Sequence, residues 1–158
     1  MRAYTFREYI DRPPRRVWDV LVDLSLAPRW RPLIKSMETE DGLPLRLGSR
    51  VRLTIEFLGR TNARVSETVA FEPERRWSLR SGDTPAMDGV FDFRLEATGS
   101  GTTVVATCDL HAHRFLPWLF LPILGHEEKK RRVEMLPNLK RLVESLVVSE
   151  SVQSRGPA

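Results

Sequence analysis

From Leu136 onward the chain carries a single apolar stripe. Leu136, Leu139, Val143 and Leu146 recur at steps of three and four residues and so share one face of a helix. Almost everything before it alternates with a period of two. A helix apolar on one side, following strands apolar on one side, hides both surfaces most simply by lying against the sheet. The approach to the stripe is also distinctive: an apolar run, Phe115–Leu124, and then a charged segment, His126–Arg132. The spacing predicts one helix from about Pro122 to Val148. Pro137 deletes a hydrogen bond within it and predicts a kink near Val133; in the alternative, one helix ends near Met135 and another starts at Pro137.

The strands can be read in order. Residues 2–10 alternate, with Tyr4, Phe6, Glu8 and Ile10 on one face. Pro13 and Pro14 end that strand and pre-set a helix start, and Val17, Trp18, Leu21 and Val22 give a short amphipathic helix. Ala27–Trp30 reads as a second short helix, broken by Pro32. Ile34–Thr39 is a weak strand. Gly48 admits a stronger one, with Val51, Leu53, Ile55 and Phe57 together. Val65, Glu67, Val69 and Phe71 share the next face, followed by Trp77 with Leu79, then Phe91, Phe93 and Leu95, and finally Val104, Ala106, Cys108 and Leu110. Short turns between them predict one antiparallel meander with a single apolar face.

Composition narrows the class. A chain of 158 residues fits one domain, expected over residues 1–148 with a small, polar, disordered tail at 149–158. A single cysteine, Cys108, excludes an internal disulfide framework and a multi-cysteine zinc site. No apolar run reaches the ~20 residues of a membrane span, and the N-terminus has charges where a secretory signal is apolar, so a cytoplasmic location is expected. The net charge of +4 raises the question of nucleic acid. The arginines are nevertheless dispersed among acids, and in the one tight cluster Glu127 and Glu128 stand four residues before Arg131 and Arg132, as in a solvated helix face. Nucleic-acid binding is therefore not expected.

The order of these elements, with certain residues, resembles the START-like (Bet v 1-like) superfamily, which includes the polyketide cyclase/dehydrase and lipid-transport (SRPBCC) family. The residues are Ile10-x-x-Pro13-x-x-x-Val17-Trp18-x-x-Leu21-x-Asp23, Trp30-x-Pro32, Gly48 before the third strand, Glu72-Pro73-x-x-Arg76, Gly101-Thr102 and Leu139-Lys140-x-x-Val143-Glu144. The resemblance spans about residues 3–146. It implies an α+β helix-grip fold: a curved antiparallel sheet of six to seven strands around a long C-terminal helix, with two short helices after strand 1. It also implies an internal cavity, without fixing a reaction.

In such a fold the sheet face opposite the helix lines the pocket. By alternation its ligand-binding side chains are Phe6, Leu53, Ile55, Phe57, Val65, Glu67, Val69, Trp77, Leu79, Phe91, Phe93, Leu95 and Ala106, joined by Trp118 and Leu136. The same side chains would equally fill an ordinary core. Two carboxylates, Glu67 and Glu8, interrupt apolar faces, where burial would raise their pKa and equip them as acid or base. With Arg64 they are the catalytic candidates; the plainer alternative is that each carboxylate pairs with an arginine or reaches the rim. His111-x-His113 with Asp109 has the spacing of a shared zinc ion, but the run lies opposite the apolar face and no metal or other cofactor is expected. Phe115–Leu124 caps the core, gates the pocket mouth or makes a transient membrane contact.

Three functions follow. The leading one is a carrier or sensor for a small hydrophobic molecule such as a lipid, sterol-like or polyketide compound. The second is an enzyme similar to polyketide cyclases/dehydratases. The third is a co-chaperone-like interaction module that uses the aromatic run. No standard nucleophile or phosphate-binding loop is present, and the ligand and oligomeric state are left open.

Overall fold

The structure, a computed structural model, describes residues 2–57, 59–84, 87–112 and 133–146. Seven strands form one antiparallel sheet in the order β1-β7-β6-β5-β4-β3-β2. They are β1 (Arg2–Ile10), β2 (Ile34–Thr39), β3 (Arg50–Phe57), β4 (Arg60–Glu72), β5 (Arg76–Thr84), β6 (Met87–Thr98) and β7 (Gly101–Ala112). From β2 to β7 each strand pairs with the next in sequence, as the short turns require. β1 closes the far edge by pairing with β7 from Arg2↔Leu110 to Ile10↔Thr102. The sheet is curved, as the helix-grip expectation requires.

Helix α1 (Pro14–Leu21) and helix α2 (Ala27–Trp30) occupy the connection from β1 to β2. Pro14 opens α1 where its missing N–H costs nothing. A 3-10 turn at Leu24–Leu26 links the helices, capped by the Asp23 carboxylate, which accepts from the Ser25 backbone N–H at 3.1 Å. α1 buries Val17, Trp18, Val20 and Leu21.

Residues 133–146 form the C-terminal helix, α3, which continues through Pro137 without a break. The chain is therefore not split there. The expected start near Pro122, the run Phe115–Leu124 and the tail lie outside the described residues. Within α3 the stripe behaves as its spacing predicts: Leu136, Leu139 and Val143 are at most 1% exposed, in one core with Val51, Trp77, Phe93 and Val104 of the sheet. Three polar contacts fix the helix against the first strand and the short helices. Lys140 Nζ donates to the Tyr9 carbonyl at 2.9 Å, Asn138 Nδ2 to the Trp30 carbonyl at 3.4 Å, and the Asp11 N–H to Glu144 Oε1 at 3.4 Å.

The outer face of the sheet is a lattice of ion pairs. Asp92 accepts from Arg76 Nε at 2.7 Å and Arg94 Nε at 2.8 Å, and donating to the Asp92 carboxylate pushes the Arg76 pKa up. Arg50 pairs with Glu40 at 2.9 Å and Lys35 with Glu56 at 2.7 Å.

Candidate functional site

Strand register sorts the inner face into rows. The first contains Phe6, Ala106, Phe93, Trp77 and Phe71, each paired with the next across β1, β7, β6, β5 and β4. The second contains Tyr4, Cys108, Phe91, Leu79 and Thr68. In the third, which starts from Leu110 on β7, the residues then shrink to Gly89, Ser81 and Ser66 before Val51 on β3. Beyond it Arg64 stands beside Leu53 and Met37. The face thus grades from fully buried rings, Trp77 and Phe93 at 0% exposure, to half-buried Phe6, Phe91 and Ile55. The rings interlock. Phe93 stacks on Trp77 at 5.9 Å between centroids and meets Trp30 edge-on at 5.8 Å, while Phe71 lies 5.3 Å from Trp18.

Most of the sequence-predicted lining lies on this face: Phe6, Leu53, Ile55, Trp77, Leu79, Phe91, Phe93, Leu95 and Ala106 are buried or half-buried, with Leu136 opposite on α3. The side chains of Phe57 and Trp118 lie outside the described residues.

Strand β4 overturns three expectations. Val65, Glu67 and Val69 do not share the face of Phe71. Ser66 is 5% exposed, Thr68 is 0% exposed and Glu67 is exposed. The cause is a bulge: Thr68 pairs with Leu79 and Ala70 with Ser78, so β4 carries one extra residue there. An extra residue inverts the alternation, and reading back from Phe71 puts every earlier side chain on the wrong side. Glu67 in fact aligns with the exposed Arg50 and Arg80. It is therefore no carboxylate in an apolar pocket. Ser66 and Thr68 of β4 point inward instead, the latter accepting from Trp77 Nε1 at 3.4 Å.

Glu8 and Arg64 do face inward, both half-buried. They are not neighbours. Glu8 aligns with Val104 and Leu95 at one end of the sheet, and Arg64 lies four rows away beside Leu53. At ~6.7 Å per two-residue row, they stand on the order of 25 Å apart along the strands. One small reacting group cannot bridge that span.

A further polar group was hidden from the sequence. Arg31, just after α2, is 7% exposed, and its guanidinium lies among rings: 5.4 Å from the Phe91 centroid, 5.7 Å from Trp30 and 5.9 Å from Phe93. Its Nη1 donates to Met37 Sδ at 3.9 Å. Beside it the indole N–H of Trp30, a residue 1% exposed, is buried and has no acceptor among the described residues. Only the spacing Trp30-x-Pro32 marked this place, and an arginine at its middle position reads as a surface residue. Among the described residues no three His, Cys, Asp or Glu side chains converge as a metal site; His113 and His126 lie outside them.

The family model described as polyketide cyclase / dehydrase and lipid transport matches residues 1–144. The chain belongs to this family. Its fold recurs in the aromatase/cyclase Zhui from Streptomyces sp. R1128, with a TM-score of 0.76 at 20% identity over 92% of this chain and 95% of that one. A START superfamily protein from Mycobacterium smegmatis gives 0.69 at 17% identity, covering 91% and 98%. Ara h 8.0201 gives 0.70 at 19% identity, again covering 91% and 98%. No curated protein matches the chain closely enough to carry an assignment. Membership in the polyketide cyclase/dehydrase and lipid-transport family supports ligand binding or cyclase activity in general, and among the described residues no helix is long and apolar enough to cross a membrane.

Proposed function

We propose that the chain binds one small, flat, hydrophobic molecule between the inner face of the sheet and α3, as a carrier or sensor without covalent chemistry. The observation that carries this reading is the gradation of the inner face. Rings packed to zero exposure give way to half-buried Phe6, Phe91 and Ile55, beside a row cut down to Gly89, Ser81 and Ser66. Apolar side chains left partly uncovered beside small residues suit a ligand that completes the core. The lipid, sterol-like and polyketide classes named from the sequence all meet this description.

A thermal-shift panel of fatty acids, sterols and aromatic polyketides tests it. A ligand at a hundred times its dissociation constant adds ~2.7 kcal/mol to stability, several degrees in melting temperature. A panel that moves the melting temperature with none of these classes counts against the reading.

The cyclase/dehydratase reading keeps support from the family and from the inward Arg64, which is placed to hold a carbonyl oxygen near the small-residue row. It loses Glu67 as its acid, and Glu8 lies too far from Arg64 to share its substrate atom. Turnover unaffected by Arg64→Met would remove that reading's remaining polar group. The interaction-module reading rests on Phe115–Leu124, outside the described residues, and gains no support here.

A further inference from the structure

We propose that the free edge of β1 pairs with the same edge of a second copy of this chain, antiparallel about a two-fold axis at Thr5. The product is a dimer with one sheet running through both chains. This inference is independent of what the inner face binds.

The two end strands of the sheet are β1 and β2, and an end strand offers a row of unpaired backbone groups to any strand that fits it. β2 is guarded. It has six residues, a register shift between Ile34 and Ser36, and a lysine, Lys35, paired with Glu56. Shortness, bulges and lysines are the usual protections of an edge. β1 lacks all three: it runs nine residues and pairs with β7 without a shift. Which of its backbone groups are free follows from α3. The Tyr9 carbonyl accepts from Lys140 and the Asp11 N–H donates to Glu144, whereas the Ile10 carbonyl faces Gly101 on β7. Backbone direction alternates along a strand, so the odd-numbered residues point to the free edge. α3 closes that edge at Tyr9 and Asp11. Ala3, Thr5 and Arg7 remain, and among the described residues nothing bonds to their outward backbone groups.

The partner follows from complementarity. An axis at Thr5 sets Ala3 opposite Arg7, Thr5 opposite its own copy and Arg7 opposite Ala3, which gives about six hydrogen bonds at two per pair. The even-numbered positions then form the closer, non-hydrogen-bonded pairs, and they complement themselves: Tyr4 stands opposite Phe6 twice, and Arg2 opposite Glu8 twice. Glu8 is a half-buried carboxylate with no partner among the described residues, and Tyr4 and Phe6 are half-buried rings at the sheet's edge. A second copy supplies the missing neighbour to all three. Other axes fit worse. At Phe6 the axis sets Glu8 against Tyr4 and calls on the Tyr9 carbonyl, which Lys140 already holds; at Arg7 it opposes two arginines. The pairing covers Tyr4 and Phe6 from the edge and leaves Phe91 and Ile55, on strands behind it, to the ligand.

Sedimentation velocity of the full chain tests the proposal, with variants at Thr5, whose side chain is exposed. The wild type is expected to pass from monomer to dimer between ~1 and ~300 µM, the range of a small interface. Thr5→Lys puts two like charges on the axis and is expected to weaken the dimer at least ~10-fold while the urea transition of the monomer stays in place. Thr5→Pro removes an N–H that faces only the partner and is expected to weaken it likewise. Under mild oxidation Thr5→Cys is expected to give a disulfide-linked dimer, because paired Cα atoms about 5.5 Å apart suit a disulfide. Arg7→Cys, ~13 Å along the strand from its own copy, is not expected to cross-link. Cys108 is 3% exposed and does not compete. A wild type that stays monomeric to ~300 µM overturns the proposal. A dimer that Thr5→Lys leaves within about twofold, or that Thr5→Cys fails to cross-link, forms through another surface and overturns it too. Should Thr5→Pro lack a cooperative urea transition, the lysine and cysteine variants decide without it.

Discussion

Replacing Phe93 by leucine tests the packing from which the ligand site is suspended. Phe93 is 0% exposed, stacked on Trp77 at 5.9 Å and edge-on to Trp30 at 5.8 Å. Each ring pair contributes ~0.5–1.5 kcal/mol beyond area burial, so losing both costs about 1–3 kcal/mol. The lost volume adds ~1 kcal/mol, since the surroundings close only partly around a smaller side chain. The expected total is ~2–4 kcal/mol. With a urea dependence of ~2 kcal/mol per molar, the midpoint falls by about 1–2 M at unchanged slope. Phe91→Leu is the control. That ring is half-buried at the edge of the core, so the expected cost is ~1 kcal/mol. A double-mutant cycle with Trp77→Leu is expected to show a coupling of ~0.5–1.5 kcal/mol. A cost below ~1 kcal/mol for Phe93→Leu, or equal costs for the two phenylalanines, would refute the gradation from packed rings to ligand-completed rings.

Three further outcomes follow from particular positions. Thr68→Asp places a carboxylate where exposure is 0% and is expected to cost more than ~3 kcal/mol in urea unfolding, whereas Glu67→Gln on the exposed face changes stability by less than ~0.5 kcal/mol; the reverse order would mean the β4 bulge is misplaced. Gly101→Ala puts its Cβ 2.5 Å from the Ile10 carbonyl oxygen, a backbone atom that cannot step aside, so a loss of ~1–3 kcal/mol is expected at the β1–β7 edge, and an unchanged melting temperature would contradict it. The Asp41 carboxyl, held below its ordinary value of 3.8 first by the Arg46 side chain and then by the Leu43 N–H, titrates lower in the folded than in the unfolded chain. Its small stabilisation is therefore present above 3.8 and lost as pH falls through the folded value; a carbon-detected NMR titration should show the midpoint rising in Arg46→Ala, and no movement would contradict the pairing.

What the sequence disclosed and what it hid divide along a physical line. Strands β3, β6 and β7, and β5 as far as Ser81, keep a regular register, so Leu53, Trp77, Phe93 and Ala106 could be placed on the inner face by parity alone. The α3 stripe was legible for the same reason, at helical period. Strand β4 was not, because a bulge leaves no reliable mark: Val65, Val69 and Phe71 look like one face until the extra residue is known. That single insertion turned Glu67 from a pocket carboxylate into a surface one and concealed Ser66 and Thr68. Arg31 was hidden differently. Its burial depends on α2 folding back over β6, a long-range contact that no local pattern encodes. Charge normally signals the surface, and here it did not.

The binding claim is tested most directly by native mass spectrometry of the purified protein before and after incubation with a total extract of hydrophobic cell metabolites, followed by denaturing extraction of whatever is retained. The account predicts one hydrophobic adduct per chain, small enough for a pocket of the ordinary ~300–1,000 Å³ and released on denaturation. A chain that shows only its own mass before and after exposure would contradict it.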